Sequence, residues 1–393
     1  MTRALVSDTP MPALSAEEAE HSRTVTELIR GHIRAAGGWL SFERFMELAL
    51  YAPGLGYYSA GSLKIGPGGD FVTAPEVSDL FSRCVAQQCA EVLAGGGEIL
   101  ELGAGTGRMA AALLTELSAR NALPERYAIL EVSADLAERQ RERIGRLPEA
   151  LRARVVWLDR LPERALRGVI LANEVLDALP CRRFVVAADG VRELGVALDR
   201  EVIVEREGRA DESLASACEA LIGELPAPLP AGYVSEICLR AAPWLSGVAH
   251  CLERGLMLLF DYGLPRSHYY HPQRVTGTLR CHFKQRVHDD PCVHPGVQDI
   301  TAWVDFTRVA EAALACGLEV SGFGTQAAFL LGTGIERFVG EEPDPARHAR
   351  LAGEARRLLL PGEMGEAFKV MALTRHFDAP LSGFALQDLR RSL

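Results

Sequence analysis

The sequence predicts an α/β fold in which a mostly parallel sheet carries helices on both faces. Strands and helices alternate after residue 98, and the first strand runs directly into a glycine turn and a helix. Because parallel strands need crossover connections, this alternation indicates a sheet that is covered on both sides. Seven strands are predicted, and we expect the last two to form an antiparallel pair at one edge. They cover residues 98–102, 127–132, 154–158, 168–172, 255–261, 318–323 and 366–374.

The turn after the first strand has the sequence ELGAGTG, and a helix is predicted to follow it over 108–117. Glycine permits a tight turn and leaves no side chain between the backbone and a ligand at the helix N-terminus. The spacing is G-x-G-x-G and no Lys-Ser/Thr follows, which argues against a phosphate-binding P-loop. A strand ending in E-x-G-x-G-x-G is typical of S-adenosylmethionine (SAM) sites, where Glu101 would face the amino group and the sulfonium. The three turn glycines are Gly103, Gly105 and Gly107.

Acidic residues follow the next two strands, where an adenosine would lie. Glu131 ends the second strand and can accept hydrogen bonds from both ribose hydroxyls. Asp159 follows the third strand and can accept from the adenine amino group, with Leu158 packed on the ring. A solvated surface acid is the simpler alternative for each of the two carboxylates.

The fourth strand ends in ANEVLDALP, over 172–180, at the edge of the sheet where we expect the methyl acceptor. Asn173 and Glu174 would lie beside the transferred methyl group, and Asp177 would share a face of the turn with Glu174. A carboxylate that pairs with a guanidinium would hold it and draw positive charge away from the attacking nitrogen. The residue types therefore suit a basic nitrogen acceptor, although ordinary helix-capping acids are an alternative.

The N-terminal part is predicted to contain two helices, over 17–36 and 42–51, followed by a loop over 52–75 rich in Gly and Pro. Ser15 with Glu18 forms a capping box for the first helix. Long loops inside a globular chain are usually functional. A further helix is predicted over 76–93. The polar residues of this region include Tyr57, Tyr58, Asp70, Thr73 and Glu76.

An insertion over 181–252 separates the fourth and fifth strands. Its first part alternates apolar and polar residues around an Asp189-Gly190 turn and predicts β-hairpins, and 234–252 is predicted to be helical. Residues 263–300 are predicted to be irregular, with a helix over 301–316. Histidines and cysteines are frequent in 268–294 but match no tight zinc pattern, so we predict no metal. His282 is the best candidate there for contact with the acceptor, and scattered surface histidines are the simpler alternative.

Composition limits the classes of protein. The chain has 393 residues, a formal charge of −10 and nine cysteines without a C-x-x-C pair. The negative charge argues against nucleic acid as a partner, and no apolar run approaches the roughly 20 residues that span a bilayer. The N-terminus lacks the form of a signal or transit peptide, which favours the cytoplasm. An oligomer is compatible with the sequence.

These features divide the chain into five parts. We predict a disordered N-terminus over 1–14, helices and a cofactor-covering loop over 15–95, and a substrate-side insertion over 181–252. The SAM-binding core would consist of 96–180 and 253–376, with a tail over 377–393.

Eight motifs, in this order, resemble those of the MidA family, the relatives of mitochondrial complex I assembly factor seven. The resemblance covers roughly residues 24–374. The motifs taken together are specific for this family, whereas ELGAGTG alone is not. The motifs are GYYS (56–59), GDFVTAPEVS (69–78), ELGAGTG (101–107), EVS (131–133), ANEVLDALP (172–180), VSEI (234–237), DYG (261–263) and PGVQDITAWVDF (295–306).

The resemblance implies a Rossmann-like, seven-stranded class I SAM-dependent methyltransferase that acts on protein arginine, with symmetric dimethylation as the outcome. It implies that the glycine turn holds the methionine part of SAM and Glu131 the ribose. Asp70, Thr73 and Glu76 would close over the cofactor. A complex I subunit homologue with an exposed arginine is the implied partner. The family often has G-P-G-R-G at the turn, whereas Ala104 and Thr106 stand here.

Three functions remain open at this point. The first is a protein arginine methyltransferase, the second a methyltransferase for a small molecule, and the third a SAM-binding assembly factor with little turnover. The intact NEVLD stretch at 173–177 favours the first two. Acidic surroundings of Glu174 would favour the first, and a closed apolar pocket would favour the second.

Overall fold

A computed structural model describes residues 11–60 and 72–393. Asp70, one of the predicted cofactor-covering residues, lies outside these ranges, as does most of the segment predicted to be disordered. The described helices, which alternate with the strands through most of the chain, are α1 (Ala16–Ala35), α2 (Phe42–Tyr51), α3 (Ala74–Val77), α4 (Asp79–Val92), α5 (Arg108–Ala119), α6 (Ala134–Gly145), α7 (Glu149–Arg152), α8 (Glu212–Glu224), α9 (Ala241–Ala249), α10 (Arg266–Tyr269), α11 (Phe306–Ala315), α12 (Gln326–Gly332), α13 (Ile335–Gly340), α14 (Pro345–Leu359) and α15 (Met364–Ala367).

The strands fall into one large sheet and two small ones. In chain order they are β1 (Trp39–Leu40), β2 (Glu98–Leu102), β3 (Tyr127–Leu130), β4 (Val155–Leu158), β5 (Leu166–Asn173), β6 (Arg182–Ala187), β7 (Gly190–Asp199), β8 (Val202–Arg209), β9 (Val234–Ile237), β10 (Leu252–Leu264), β11 (Arg280–Phe283), β12 (Arg286–His288), β13 (Asp299–Thr301), β14 (Val304–Asp305), β15 (Glu319–Thr325) and β16 (Phe368–Arg375).

The large sheet has the strand order β4-β3-β2-β5-β10-β16-β15, with β14 paired to the end of β10. Strands β2, β3, β4, β5 and β10 run parallel, whereas β16 is antiparallel to both β10 and β15. The predicted seven-stranded sheet with an antiparallel pair at one edge is therefore confirmed.

The central strands are apolar on both faces because helices cover the sheet on both sides. In β5, Val169 and Leu171 face one hydrophobic core, whereas Ile170 and Ala172 face the other. The register pairs Leu102 of β2 with Ala172 of β5. The ends of these two strands, from which the glycine turn and the NEVLD stretch continue, therefore lie side by side.

The insertion forms a second sheet of β6, β7, β8 and β9, to which β1 of the N-terminal part is added by pairing with β7. The predicted hairpins are present, and β7 begins at Gly190 after the predicted turn. The helix predicted over 234–252 was wrong in its first part, because Val234–Ile237 is strand β9 paired with β6. The helix α9 begins only at Ala241, and Pro243 lies in its first turn, where backbone N–H groups need no helical partner.

Three other boundaries differ from the sequence prediction. The helix expected over 76–93 is interrupted at Ser78, whose extended backbone ends α3 and whose hydroxyl caps α4. The segment 263–300, expected to be irregular, contains the three-stranded antiparallel sheet β12-β11-β13. The helix expected from residue 301 begins at Phe306, after a capping Asp305.

A third hydrophobic core joins the N-terminal helices to both small sheets. It packs Phe45 of α2 with Val196 of β7, and with Cys281 and Ile300 of the three-stranded sheet. This packing brings the end of α2 and strand β13 toward the end of β5. Across residues 11–60 and 72–393, no helix combines the length and the apolar character needed to cross a membrane.

Candidate active site

The glycine turn after β2 has an unusual backbone. All three glycines have left-handed φ angles, +65° at Gly103, +53° at Gly105 and +76° at Gly107. Residues with a Cβ rarely adopt this conformation, which explains the alternation of glycine in the sequence. At Gly107 a Cβ would also lie 3.2 Å from the Gln140 Cα, so α6 packs directly against the turn.

Gln140 of α6 connects the glycine turn to Glu131. Its Nε2 donates hydrogen bonds to the Gly105 carbonyl oxygen and to Glu131 Oε2, each at 2.9 Å. Its Oε1 accepts from Trp157 Nε1 at 3.0 Å. The Ser133 backbone N–H donates to the other Glu131 oxygen at 2.9 Å. Glu131 is thus held at the end of β3 with a fixed orientation. Nothing in the sequence distinguished Gln140 from other helical residues.

Glu101, at the end of β2, is only 1% exposed. The Tyr127 hydroxyl donates to Glu101 Oε2 at 2.6 Å. Burial raises the pKa of Glu101 from 4.5 to about 7, and this hydrogen bond opposes the rise. A buried carboxyl with such a pKa ionises readily when a cation arrives beside it.

Helix α3 lies against the glycine turn. The Glu76 carboxylate accepts a hydrogen bond from the Thr106 hydroxyl, and Arg108 Nη1 donates to the Glu76 carbonyl oxygen at 2.6 Å. Thr73 is the residue that precedes this helix. The two predicted covering residues, Thr73 and Glu76, therefore lie beside the turn.

The NEVLD stretch leaves β5 next to the glycine turn. A Cβ placed on Gly103 would lie 3.6 Å from Val175 Cγ2. Asn173 Nδ2 donates to Glu174 Oε1 at 2.9 Å, while the buried Asn173 Oδ1 has no hydrogen-bond partner within the described ranges. Glu174 has a φ of +54°, a conformation that costs energy for a residue with a side chain. Such strain is typical of functional turns.

Asp261, near the end of β10, forms hydrogen bonds with the backbone of this turn. Its Oδ2 accepts from the backbone N–H groups of Leu176 and Asp177, at 2.9 and 3.3 Å. Burial raises the pKa of Glu174, Asp177 and Asp261 well above that of an ordinary carboxyl, and their mutual repulsion adds to it. Four carboxyl groups are concentrated here, because Asp299 also contributes to the repulsion.

One cavity of about 550 Å³ adjoins both the glycine turn and the NEVLD stretch, a size in the range of small-molecule sites. Ten of the fourteen predicted site residues line it. The ten are Thr73, Glu76, Glu101, Gly103, Gly105, Glu131, Asn173, Glu174, Asp177 and His282. Ala104 of the glycine turn lines the cavity as well.

 

The four remaining predicted site residues are Gly107, Asp70, Leu158 and Asp159. Gly107 lies at the base of the turn, and Asp70 is outside the described ranges. Leu158 and Asp159, predicted to contact adenine, do not line the cavity, and Asp159 is exposed at the end of β4. Apolar residues line the region beyond Glu131 instead, among them Val132, which is 78% exposed, and Leu161.

Four further residues that line the cavity were not among the predicted site residues, namely Tyr51, Tyr58, Tyr262 and Asp299. They come from parts of the chain that only the tertiary fold brings together. His282, which was predicted, lies across strands from Asp299 in the three-stranded sheet. Burial lowers the pKa of His282 to about 4, so its imidazole is uncharged at neutral pH. Within the described ranges, no three His, Cys, Asp or Glu side chains are grouped as metal ligands.

Residues 82–324 match the model of a family described as S-adenosyl-L-methionine-dependent methyltransferases. The chain belongs to this family. The fold, the glycine turn and the family agree on a class I methyltransferase that uses SAM. A solved structure from Burkholderia thailandensis, described as a candidate methyl transferase bound to S-adenosyl-homocysteine, is 40% identical and has a TM-score of 0.93. The match covers 98% of this chain and 100% of that one.

The methyltransferase is also similar to curated relatives named protein arginine methyltransferase NDUFAF7, mitochondrial. The relative from Danio rerio is 28% identical, over 90% of this chain and 88% of its own length. The relative from Homo sapiens is 26% identical, over 86% and 81%. The expected cytoplasmic location was wrong by this comparison, because the relatives are mitochondrial proteins. The sequence argument depended only on an N-terminus without targeting features.

Proposed function

We propose that this methyltransferase transfers a methyl group to a guanidinium nitrogen of arginine in a protein substrate. The observation that supports the proposal most strongly is the acidic lining of the cavity beside the glycine turn. Glu174, Asp177 and Asp299 all line it, together with tyrosines. Negative groups with aromatic neighbours suit a planar cation. The names of the curated relatives point to the same acceptor.

The residues around the glycine turn fit SAM. We assign the methionine part to the bare backbone of 103–107, with Glu101 facing the amino group and Glu131 facing the ribose hydroxyls. The unpartnered Asn173 Oδ1 supplies a further acceptor on this side. Thr73 and Glu76 would cover the cofactor from α3. Leu161 and Val132 offer an apolar surface for adenine, in the role predicted for Leu158.

SAM supplies a methyl group that is activated by its sulfonium. Transfer to arginine forms a nitrogen–carbon bond, breaks the carbon–sulfur bond and releases one proton from the nitrogen. We assign Glu174 the task of holding the guanidinium and drawing positive charge from the attacking nitrogen. Asp177 adds negative potential when a bound cation favours its ionised form, and the uncharged His282 can accept the released proton or contact the acceptor. Because the leaving group is already good, orientation supplies most of the catalysis.

We further propose that the insertion 181–252 forms the substrate side of the enzyme. Pro243 and Trp244, from α9 in this insertion, line the cavity. On the family resemblance, a respiratory complex I subunit is a candidate substrate.

The experiment is methyl transfer from isotope-labelled SAM into cell lysate, with mass spectrometry of the labelled products. The proposal predicts labelled methylarginine in a protein, and none when Glu174→Gln replaces the wild-type enzyme. Label only in small metabolites would overturn the proposal in favour of a small-molecule methyltransferase. Binding of SAM without any transfer would overturn it in favour of an assembly factor. The methylarginine recovered also reports how many methyl groups are added.

A further inference from the structure

Two cysteines lie opposite each other at one end of the paired strands β6 and β9. Cys181 directly precedes β6, and Cys238 directly follows β9. The two strands are antiparallel, and the last pair of their ladder joins Arg182 to Ile237. The next pair outward is therefore Cys181 with Cys238. Because directly opposite residues of an antiparallel ladder point to the same face of the sheet, the two thiols share one face.

The hydrogen-bond alternation of the ladder brings this pair close together. The Val186 N–H donates to the Tyr233 carbonyl oxygen at 2.9 Å, so these two residues form a hydrogen-bonded pair. Hydrogen-bonded and non-hydrogen-bonded pairs alternate along an antiparallel ladder. Cys181 with Cys238 is the fifth pair beyond it and is therefore non-hydrogen-bonded. The Cα atoms of such a pair are about 4.5 Å apart, within the range of about 4.4–6.8 Å that a disulfide requires.

Side-chain contacts place both thiols at the same point of the fold. Cys238 Sγ lies 3.8 Å from the carbonyl oxygen of Pro180, the residue before Cys181. Cys181 is 1% exposed, and its Sγ lies 4.0 Å from Met46 Sδ. Both cysteines line a second cavity, of about 20 Å³, which has room for one water-sized molecule. A small oxidant is therefore the kind of reagent that this cavity admits.

The two cysteines belong to segments that shape the large cavity. Cys181 directly follows the ANEVLDALP motif over 172–180, and Cys238 directly follows the VSEI motif over 234–237. Helix α9 begins soon after Cys238 and contributes Trp244 to the lining of the large cavity. A covalent bond between the two sulfurs would therefore join the NEVLD turn to the insertion.

We propose that Cys181 and Cys238 form a redox modification site, which hydrogen peroxide oxidises to a reversible disulfide that ties the NEVLD turn to the insertion. In the first step the Cys238 sulfur, the more exposed of the two, attacks one peroxide oxygen. The O–O bond breaks, and a sulfenic acid and one water form. The Cys181 sulfur then displaces the sulfenic oxygen as a second water, and the S–S bond forms. Two thiols are oxidised and one peroxide is reduced. The inference does not depend on which acceptor the enzyme methylates.

The two steps differ in speed. Burial raises the pKa of the Cys238 thiol to about 11 and raises the pKa of Cys181 well above that of an ordinary thiol. Because the thiolate is the nucleophile, the first step is slow at neutral pH. In the second step the partner sulfur is already opposite, so it captures the sulfenic acid before further peroxide does. The site therefore responds to sustained oxidant and forms a disulfide instead of a sulfinic acid.

The test maps disulfides in the purified full chain after incubation with hydrogen peroxide. Remaining thiols are blocked with N-ethylmaleimide, the protein is digested without reductant, and the peptides are identified by mass spectrometry. We expect a peptide pair that joins Cys181 to Cys238 and disappears with dithiothreitol. The melting temperature of the oxidised protein should rise by several degrees, because the bond closes a long loop in the unfolded chain. Dithiothreitol should reverse the rise.

Cys181→Ala and Cys238→Ala should each abolish the linked peptide and the rise in melting temperature. Either variant suffices if the other fails to fold. Cys316→Ala is the matched control, because Cys316 caps helix α11 and lines neither cavity. It should keep both effects. Oxidation of Cys181 or Cys238 only to sulfinic or sulfonic acid, or a disulfide from either to another cysteine, overturns the inference. So does a reversible rise in melting temperature that persists in both alanine variants.

Discussion

Gln140 Nε2 lies 2.9 Å from Glu131 Oε2 and donates a hydrogen bond to it. The same nitrogen donates to the Gly105 carbonyl oxygen, so one buried amide connects the glycine turn with the proposed ribose-binding carboxylate. These two parts would contact different portions of SAM. Their relative position therefore depends on a residue that contacts neither the acceptor nor the methyl group.

Replacing Gln140 by Leu should weaken cofactor binding with a smaller effect on turnover. Leucine has a similar volume but cannot donate to Glu131 or Gly105, and each buried group left without its partner costs about 1–3 kcal/mol. We expect KM for SAM to rise by about tenfold or more, whereas kcat changes less. Steady-state kinetics and titration with S-adenosylhomocysteine measure the two effects.

Gln87→Leu is the matched control for this variant. Gln87 is a half-buried glutamine of α4 that bonds to Glu91 and Arg120, and it does not line the cavity. It should lower stability without changing KM for SAM. An unchanged KM in Gln140→Leu, or the same increase in Gln87→Leu, would show that Gln140 has no positioning role.

The parts of the site that were predicted from the sequence depend on which elements follow one another directly along the chain. The glycine turn and the NEVLD stretch each follow an apolar strand, and the ends of parallel strands meet at one edge of the sheet. The alternating glycines also carry their own backbone requirement, which the φ angles at Gly103, Gly105 and Gly107 satisfy. The helix over Phe42–Tyr51 was predicted to the residue, because Ser41 caps it.

The parts that were missed depend on distant contacts. Tyr58 and Asp299 are 241 residues apart in the chain, and no spacing connects them. Val234–Ile237 was predicted to be helical, but pairing with β6 makes it a strand. Strand β6 lies about 50 residues earlier in the chain, so the local sequence does not show this pairing. The prediction for Leu158 was missed by three residues along the chain, because Leu161 lines the cavity and Leu158 does not.

Replacing Gly105 by Val should abolish SAM binding. The φ angle of +53° is strained for any residue with a Cβ and most of all for a β-branched one. The added side chain would also stand on the turn that faces the cofactor. Calorimetry should show no measurable heat of binding. Gly353→Val in helix α14, where a Cβ meets open space, is the control and should bind normally. Normal binding by Gly105→Val would refute the assigned turn.

Replacing Glu174 by Gln should leave SAM affinity intact and remove most turnover. Glutamine keeps the size but loses the charge that holds the acceptor, and the loss of one such electrostatic contact lowers kcat by about 10²–10³. Glu207→Gln, an exposed position on β8, is the control and should be fully active. Full activity of Glu174→Gln in the labelled-transfer assay would exclude Glu174 from the acceptor site.

Cofactor affinity should depend on pH through Glu101. Its pKa is raised to about 7 by burial, so the folded, cofactor-free chain binds more protons than the unfolded chain between about pH 4.5 and 7. The free energy of unfolding of the cofactor-free protein should therefore decrease as pH rises through this window. Chemical denaturation at several pH values measures that decrease, and Glu101→Gln should reduce it.

The cationic amino group of SAM is expected to bind the ionised form of Glu101, so binding should release a proton. With a pKa of about 7, the affinity should rise roughly eightfold from pH 6 to pH 7.5. Glu101→Gln should bind SAM more weakly at pH 7.5, and the part of the pH dependence that Glu101 causes should be absent. Titration in buffers of different ionisation enthalpy counts the released proton directly. The same pH dependence in wild type and Glu101→Gln would show that Glu101 does not face the amino group.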